Sequence, residues 1–416
     1  MITSRLCKMA DYFGERVTGS MKNIIFLILG RATSKFGSMA YLTVLPLYIL
    51  DRTQSLAFAG FFLMCTSLPA VLCSSFLGVL VDRISRKKLI IFCDLCCAAI
   101  YAALLYFKEG HGNYIAWLMM ASIMINILSN LFEISSKVLF TELLEKAEIG
   151  RYNGLKSLTD NMASIAAPIA GTFLWGWLGF RCILALMGVL YLLSAVQESA
   201  IIYKAAFQKP ERERGASQAF LDGLRFISRD KNIRPLFLMV MLLNFFLGGM
   251  EEIMNPGMVV QKYGINEALF GIAASVSIAG SICAGMLIFK SSQFSHKDRM
   301  TEFIVCNSAV MIGVGGASIV LFPEKQLFFV VFLLCQFLIG LLTTCVNVPL
   351  SSKLQVSVPV EYQGRFFAVL AFFSGLLVPA GSWYSGLLAS YVGADWACMI
   401  NNLFVIAVAL AIRRRL

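Results

Sequence analysis

The sequence predicts an all-α membrane protein with twelve transmembrane helices in two six-helix bundles. Of the 416 residues, 58% are apolar, only 14% are charged, and long apolar runs recur along the chain. Soluble domains contain about 25% charged residues, so this sequence cannot cover a water-exposed surface of that size. A membrane-spanning helix needs about 20 apolar residues, and the supply here suffices for about twelve such helices.

Apolar segments occur at twelve places along the chain. A strand that crosses lipid must belong to a closed barrel and alternate polar with apolar residues, and this sequence lacks that alternation. We therefore expect helices in every segment. The predicted spans are residues 23–50, 57–80, 89–107, 114–140, 154–180, 182–203, 234–261, 267–290, 301–321, 327–352, 364–390 and 395–412.

Lys and Arg residues predict the orientation of the spans. The segments on one side of the predicted membrane hold 26 of the 35 basic residues, whereas the loops on the other side hold 5. Because short basic loops stay in the cytoplasm, both termini are expected to be cytoplasmic, in a multi-pass protein of the cell (inner or plasma) membrane. The same bias explains the net charge of +11 without a nucleic-acid partner.

A long polar connection divides the spans into six and six. Within it, an amphipathic helix from Ser217 to Ile227 is expected to lie on the membrane surface. Six plus six is the pattern of duplicated transporters, whose substrate site lies between the halves. We expect an N-terminal cytoplasmic segment at 1–22, a bundle at 23–203, a cytoplasmic linker at 204–233, a second bundle at 234–412 and a basic cytoplasmic tail at 413–416.

Polar residues form stripes inside the first, fourth, seventh and tenth predicted spans. In the first span, Arg31, Ser34, Lys35 and Ser38 are spaced so that they share one helical face. Because the stripes recur on every third helix, we expect these four helices to surround one water-filled path. The residues predicted to line this substrate and proton path are Arg31, Ser34, Lys35, Ser38, Asn126, Asn130, Glu133, Lys137, Asp160, Asn244, Glu251, Glu252, Asn255, Gln336, Thr343 and Asn347.

Charged residues inside the spans require water or a partner, since a charge at the centre of a bilayer costs about 3 kcal/mol even on the mild insertion scale. An alternative for Glu133 and Lys137 is therefore a structural ion pair. Glu251 and Glu252 are adjacent and are not expected to point the same way, so one of them is expected to be solvated near the outer surface. Asp94, Asp160 and Glu198 lie nearer the inner ends, either as proton carriers or as partners of backbone and basic loops.

No metal site or cofactor is expected. Cys93, Cys96 and Cys97 share one face of the third predicted span, but no His lies nearby, so these cysteines are expected to pack as small residues. The sequence also lacks a phosphate-binding P-loop pattern, and its polar segments are too short for an ATPase domain.

A basic cluster follows the second predicted span. Its sequence, Gly78-x-Leu80-Val81-Asp82-Arg83-x-Ser85-Arg86-Lys87, resembles the signature between the second and third helices of the major facilitator superfamily, with Ser85 at the usual Gly. Arg83 and Arg86 are expected to pair with Glu142, Glu145 or Glu148. The alternative is a plain signal of topology. The resemblance implies a cytoplasmic gate formed by Gly78, Asp82, Arg83, Arg86 and Lys87 together with Gly364 and Arg365.

Two further stretches, GRATSKFGSMAYLTVLPLYI at 30–49 and PVEYQGRFFAVLAFFSGLLVPAGSWYSGLL at 359–388, resemble drug:proton antiporters of the macrolide-efflux and siderophore-exporter branch of this superfamily. The resemblance implies a monomeric secondary active transporter, not an enzyme, that exports amphiphilic small molecules by alternating access in exchange for protons. Glu133 is the first candidate proton carrier and Asp160 the second, whereas Arg31 and Lys35 favour an acidic or electron-rich group on the substrate.

Two other functions stay open. The same fold serves uptake or facilitated carriers for a metabolite or lysolipid, and it also serves membrane receptors or scaffolds that transport nothing.

Overall fold

A computed structural model of the chain describes residues 2–107, 113–144, 149–203, 216–290 and 299–413, which form helices and no strand. Between α8 and α9 the chain forms two π-helical segments, Met250–Met254 and Gly257–Lys262. The α-helices are α1 (Ile2–Thr53), α2 (Leu56–Arg83), α3 (Arg86–Tyr106), α4 (Tyr114–Leu143), α5 (Ile149–Leu178), α6 (Phe180–Ser199), α7 (Ala216–Arg229), α8 (Ile233–Leu247), α9 (Glu267–Lys290), α10 (Met300–Val320), α11 (Lys325–Ser357), α12 (Val360–Val392) and α13 (Ala394–Arg413).

The predicted spans coincide with α1 to α6 and α8 to α13, so the all-α prediction is confirmed. Among the described residues, ten helical stretches are long and apolar enough to cross a membrane. Of the helices that match predicted spans, α1 and α5 are outside this set, and both carry charged residues inside their predicted spans. These are Arg31 and Lys35 in α1, and Lys156 and Asp160 in α5.

The first helix starts much earlier than the sequence suggested. We expected residues 1–22 to be a polar cytoplasmic segment with a short surface helix of its own; the backbone is instead helical from Ile2 onwards and continues without a break into the first span. Polar, mixed-charge composition argues against burial of a segment and not against its helicity, since Lys, Arg and Glu are good helix formers. The side chains before Lys22 lie outside the described part of the chain.

The contacts within the chain divide it into two compact units. The first unit comprises Met1–Tyr41, Cys73–Ala167 and Arg181–Glu211, and the second comprises Leu42–Leu72, Pro168–Phe180 and Arg212–Leu416. By its contacts, the segment 42–72 therefore groups with residues that follow the linker. The division into domains at 23–203 and 234–412 stays a prediction.

Tyr101 lies at the centre of the first unit and is fully buried. Its ring is 5.4 Å from the ring of Tyr41 and 5.7 Å from the ring of Tyr191. The hydroxyl of Tyr41 is 3.0 Å from Ser122 Oγ, and the hydroxyl of Tyr191 is 2.9 Å from Ser38 Oγ. This aromatic cluster joins α1, α3, α4 and α6, and each tyrosine hydroxyl named here finds a polar partner within the helices.

Small residues bring helices of the second unit close together. A Cβ on Gly60 would press on the backbone of Ser382, and a Cβ on Gly386 would press on the backbone of Leu56. On α11, a Cβ on Gly340 would overlap the carbonyl oxygen of Ser277 in α9. Because lipid is as apolar as the helices, such close packing is a main source of helix association in membranes.

The predicted amphipathic helix of the linker is present as α7. Ile227 is buried in the core cluster of the second unit, and the ring of Phe226 stacks on Tyr362 of α12 with centroids 4.5 Å apart. A Cβ on Gly223 would lie only 2.9 Å from the carbonyl oxygen of Arg365. The sequence predicted that this apolar face lies on the membrane surface. In the structure, other residues of the second unit cover much of this face.

Replacing Gly340 by Ala should separate α9 from α11 and destabilise the protein by about 1–3 kcal/mol, the usual range for overpacking. Gly313 of α10 is the matched control, because a Cβ there meets no described atom within 4 Å and Ala favours helix. Thermal unfolding of the purified variants should show a lower Tm for Gly340→Ala alone. Equal melting of both variants would contradict the close packing at Gly340.

Candidate functional site

A charged cluster inside the first unit joins three helices. Arg31 of α1 is 7% exposed, and its Nη2 lies 2.9 Å from Glu133 Oε1 of α4 and 3.6 Å from Asp160 Oδ2 of α5. Lys137 Nζ lies 3.9 Å from Glu133 Oε2, but its side chain is 66% exposed. Glu133 therefore has two cationic partners, and the buried one is on another helix. The prediction that Glu133 and Lys137 form an ion pair is confirmed, although Arg31 is the closer partner.

The polar side chains along the predicted stripe of α1 contact several different helices. Ser34 is buried, and its Oγ lies 3.2 Å from Asp94 Oδ2 of α3 and 2.7 Å from Ser194 Oγ of α6. Ser38 contacts Tyr191 of α6, as described above. Arg31 points towards α4 and α5 instead. Lys35, Asn126 and Asn130 are partly exposed.

A second acidic cluster lies behind Ser34. Asp94 and Glu198 are 1% and 0% exposed, and they lie close enough for their charges to interact. Neither carboxylate oxygen of Glu198 has a hydrogen-bond partner among the described atoms. A Cβ on Gly30 would lie 2.9 Å from Glu198 Cγ, so a larger residue at position 30 would displace this side chain. The cluster differs from the Arg31 cluster in that no ion pair is found for it within the described residues.

The second unit contains a cavity of about 340 Å³, which we call the C-terminal cavity. This volume is within the range of small-molecule sites in proteins. The predicted residues Asn244, Glu251, Glu252, Thr343 and Asn347 all line it. Its remaining walls are mostly apolar and are formed by Leu243, Leu247, Met250, Ile304, Met311, Ile339, Val346, Val378 and Val405.

Both glutamates of the seventh predicted span reach the C-terminal cavity. We expected adjacent side chains to diverge by about 100°, as in a regular α-helix. Instead, Glu251 and Glu252 lie in the π-helical segment Met250–Met254, and both line the cavity. The expectation that the two side chains point different ways assumed a regular helix and is wrong, whereas the solvation of one of them near the outer surface stays a prediction. Single π-helical turns are frequent at functional sites.

Some predicted residues lie elsewhere, and others were missed. Asn255 and Gln336 are buried and are not among the residues that line the C-terminal cavity. Asn307 and Ser308 of α10 do line it, although the sequence analysis did not single them out. The helix α10 is the ninth span and carries none of the polar stripes, which lie in the first, fourth, seventh and tenth spans. The signal that was available is an Asn-Ser pair in the middle of an otherwise apolar span.

The basic cluster after the second span makes its described contacts within the first unit. Arg86 is buried with its Nε 3.7 Å from Glu142 Oε1, which confirms one of the expected pairs. Lys87 Nζ donates to the carbonyl oxygens of Ser199 and Ile201 at the end of α6, at 2.8 and 2.6 Å. Arg83 is exposed. The side chain of Asp82, and residues Glu145 and Glu148, lie outside the described residues.

Two glycines assigned to the gate are not tightly packed. A Cβ on Gly78 or on Gly364 would meet no described atom within 4 Å. In the described part of this structure, Gly78 is therefore not a point of close helix approach. Arg365, next to Gly364, lies with its Nη1 3.8 Å from Asp222 Oδ2 of α7.

A chain of apolar helices that holds charged clusters and a polar cavity is typical of a membrane transporter. The family model of the Major Facilitator Superfamily matches residues 27–382. The chain therefore belongs to this superfamily: it is a multi-pass membrane transporter of small molecules and not an enzyme.

Relatives of similar length extend this result. The MFS-type transporter YfiS of Bacillus subtilis (strain 168) is 24% identical over 405 residues, which cover 94% of this chain and 92% of YfiS. Macrolide efflux protein A of Streptococcus pyogenes is 20% identical over 383 residues, which cover 92% of this chain and 93% of that protein. A protein of Bacillus subtilis (strain 168) named as a bacilysin exporter, BacE, is 25% identical over 374 residues, 89% of each chain.

Solved structures share the fold at low sequence identity. The nucleoside transporter NupG superposes with a TM-score of 0.73 at 15% identity, covering 95% of this chain and 98% of NupG. A bacterial homologue of the lysosomal transporter Spinster, in an inward-facing and unoccupied conformation, gives a TM-score of 0.73 at 14% identity, covering 95% of this chain and 97% of that chain. These likenesses confirm the predicted MFS fold.

Arg31→Gln should lower the stability of the first unit, because Glu133 and Asp160 would lose their shared buried cation. We expect a loss of about 2 kcal/mol, below the value for a fully buried pair because both carboxylates are partly exposed. Lys137→Gln is the matched control and should change stability by less than about 1 kcal/mol, as for surface ion pairs. Thermal unfolding in detergent measures both, and a larger effect of Lys137→Gln would contradict the assignment of Arg31 as the main partner.

Proposed function

We propose that this protein is a secondary active transporter that exports amphiphilic small molecules in exchange for protons, by alternating access. The C-terminal cavity supports the proposal most directly, because it combines polar side chains with apolar walls inside helices that belong in lipid. The relatives named as a macrolide efflux protein and a bacilysin exporter support the outward direction. The excess of Lys and Arg in the loops on one side of the membrane supports a cytoplasmic location of both termini.

The Arg31 cluster is suited to couple transport to a proton. Arg31 is shared by Glu133 and Asp160, at 2.9 and 3.6 Å. When a proton neutralises one carboxylate, the guanidinium is free to move towards the other. Because the two carboxylates lie on α4 and α5, this exchange changes which helix α1 is held against. We assign the proton first to Glu133 and second to Asp160.

The Asp94 and Glu198 pair is an alternative proton site. A buried carboxylate without a cation is costly, and binding a proton removes most of that cost. The pair also contacts α1 through Ser34 and Gly30. Glu to Gln variants distinguish the two sites, because each variant removes one titratable group and keeps the shape of the side chain.

Transport in right-side-out and inverted membrane vesicles, with and without a proton gradient, tests the proposed function. A radiolabelled macrolide and bacilysin are the first compounds to try, since relatives carry their names. Export predicts gradient-driven accumulation in inverted vesicles. The opposite polarity would indicate an uptake carrier, and movement of none of a broad set of amphiphiles in either vesicle would indicate a receptor or scaffold.

Glu133→Gln should abolish gradient-driven transport while leaving ligand binding measurable, because the carboxyl that exchanges the proton is lost and the C-terminal cavity is not altered. Glu198→Gln should retain coupling. Glu302→Gln is the matched control, since Glu302 is exposed and paired only with Arg299 among its described contacts. Normal coupling in Glu133→Gln together with lost coupling in Glu198→Gln would move the proton site to the Asp94 and Glu198 pair.

A further inference from the structure

Strong hydrogen-bond acceptors line the C-terminal cavity. Glu251 and Glu252 are both exposed to it. Asn307 lines the cavity, is 6% exposed, and its Oδ1 has no hydrogen-bond partner among the described atoms. A buried amide oxygen without a partner costs about 1–3 kcal/mol. A ligand that donates hydrogen bonds would satisfy this oxygen.

Two amide donors of the same wall are already in use. Asn244 Nδ2 donates to Ser374 Oγ at 2.8 Å, and Asn307 Nδ2 lies 3.5 Å from Thr343 Oγ1. None of the described residues that line the cavity is Lys, Arg or His. The two carboxylates therefore have no cationic partner in the cavity wall, and an anionic ligand would be repelled by both.

The backbone around the acidic pair is built to hold it in place. A Cβ on Gly248 would lie 2.6 Å from the carbonyl oxygen of Val378, so α12 packs directly on the start of the π-helical segment. Ser382 Oγ donates to the carbonyl oxygen of Gly248 at 2.9 Å. The residue just before the segment that presents both glutamates is thus held against α12.

We propose that the C-terminal cavity binds the protonated amine of an amphiphilic substrate, with the carboxylates of Glu251 and Glu252 and the Oδ1 of Asn307 accepting its hydrogen bonds. This assignment names the substrate class of the transporter and so rests on the proposed function. A protonated amine offers several N–H donors and a positive charge, whereas the walls formed by Met250 and Met311 suit its apolar frame. A metal ion is a poorer fit, because the described residues contain no group of three His, Cys, Asp or Glu side chains able to hold one.

The inference also changes the expected charge of the substrate. The sequence favoured an acidic group attracted by Arg31 and Lys35. Arg31, however, is committed to Glu133 and Asp160 in the first unit. Among the described residues that line the C-terminal cavity, the charged side chains are both negative.

The test is direct binding of three compounds that share one apolar frame: 4-phenylbutylamine, 4-phenylbutanol and 4-phenylbutyrate. The purified full-length protein is reconstituted in nanodiscs, and binding is measured by calorimetry at pH 7. The amine should bind at least about tenfold more tightly than the alcohol, the ratio that one charge-assisted hydrogen bond supplies. The carboxylate should bind most weakly.

Variants separate the site from other acidic residues. The double variant Glu251→Gln with Glu252→Gln keeps the shape of the cavity and should bind the amine and the alcohol equally. Asn307→Leu should reduce amine affinity several-fold and leave alcohol affinity nearly unchanged. Glu302→Gln, outside the cavity, should retain the full preference. Thermal unfolding of each variant shows whether it is folded, and the single Glu to Gln variants replace the double variant if it is not.

Three results would overturn the assignment: equal binding of the amine and the alcohol by the native protein, a preference that survives in the double variant, or no binding of the amine up to its solubility limit. Because the measurement needs no gradient and no transport, its outcome is separate from that of the vesicle assay. Export without an amine preference would support the proposed function and contradict the amine site. An amine preference without transport would support the amine site and contradict the proposed function.

Discussion

A charged side chain within an apolar helix must be neutralised inside the protein, and the arrangement of both units depends on how this is done. Lipid offers no hydrogen bonds, so each such group needs an ionic partner, a proton, water or a ligand. In the first unit the guanidinium of Arg31 is shared by Glu133 and Asp160, and Lys137 is a second, more exposed partner of Glu133. In the second unit, no Lys, Arg or His is found among the described residues that line the cavity beside Glu251 and Glu252.

This difference gives the two units different chemistry. The two carboxylates that share Arg31 join α1, α4 and α5, and in the proposed mechanism a proton exchanges the partners within these three helices. A pair of carboxylates beside a cavity interacts with whatever enters it, and the apolar walls of the cavity restrict entry to molecules with a large apolar surface. Under the proposed function, proton coupling and substrate recognition fall to different residues.

The spans could be predicted from the sequence because long apolar runs mark the segments that cross lipid. The helix α7 could be predicted from its amphipathic pattern. Three features could not. The π-helical segment at Glu251 changes the angle between successive side chains. A prediction from sequence assumes the constant angle of a regular α-helix. The pairing of Arg31 with Asp160 is long-range and depends on how α1 and α5 pack. Asn307 stood alone in an apolar helix, where a single amide is as consistent with packing as with a site.

The basic cluster after α2 shows why a motif cannot be assigned to one role from sequence. Lys87 holds the end of α6 through two carbonyl oxygens, and Arg86 is buried beside Glu142, so both residues stabilise the first unit whatever else they do. In the second unit, Arg365 is paired with Asp222, which belongs to the linker helix α7. The resemblance assigns Arg365 to the cytoplasmic gate. A gate that recruits Arg365 must therefore compete with Asp222 for it, and through this pair any movement of the linker would alter the strength of the gate.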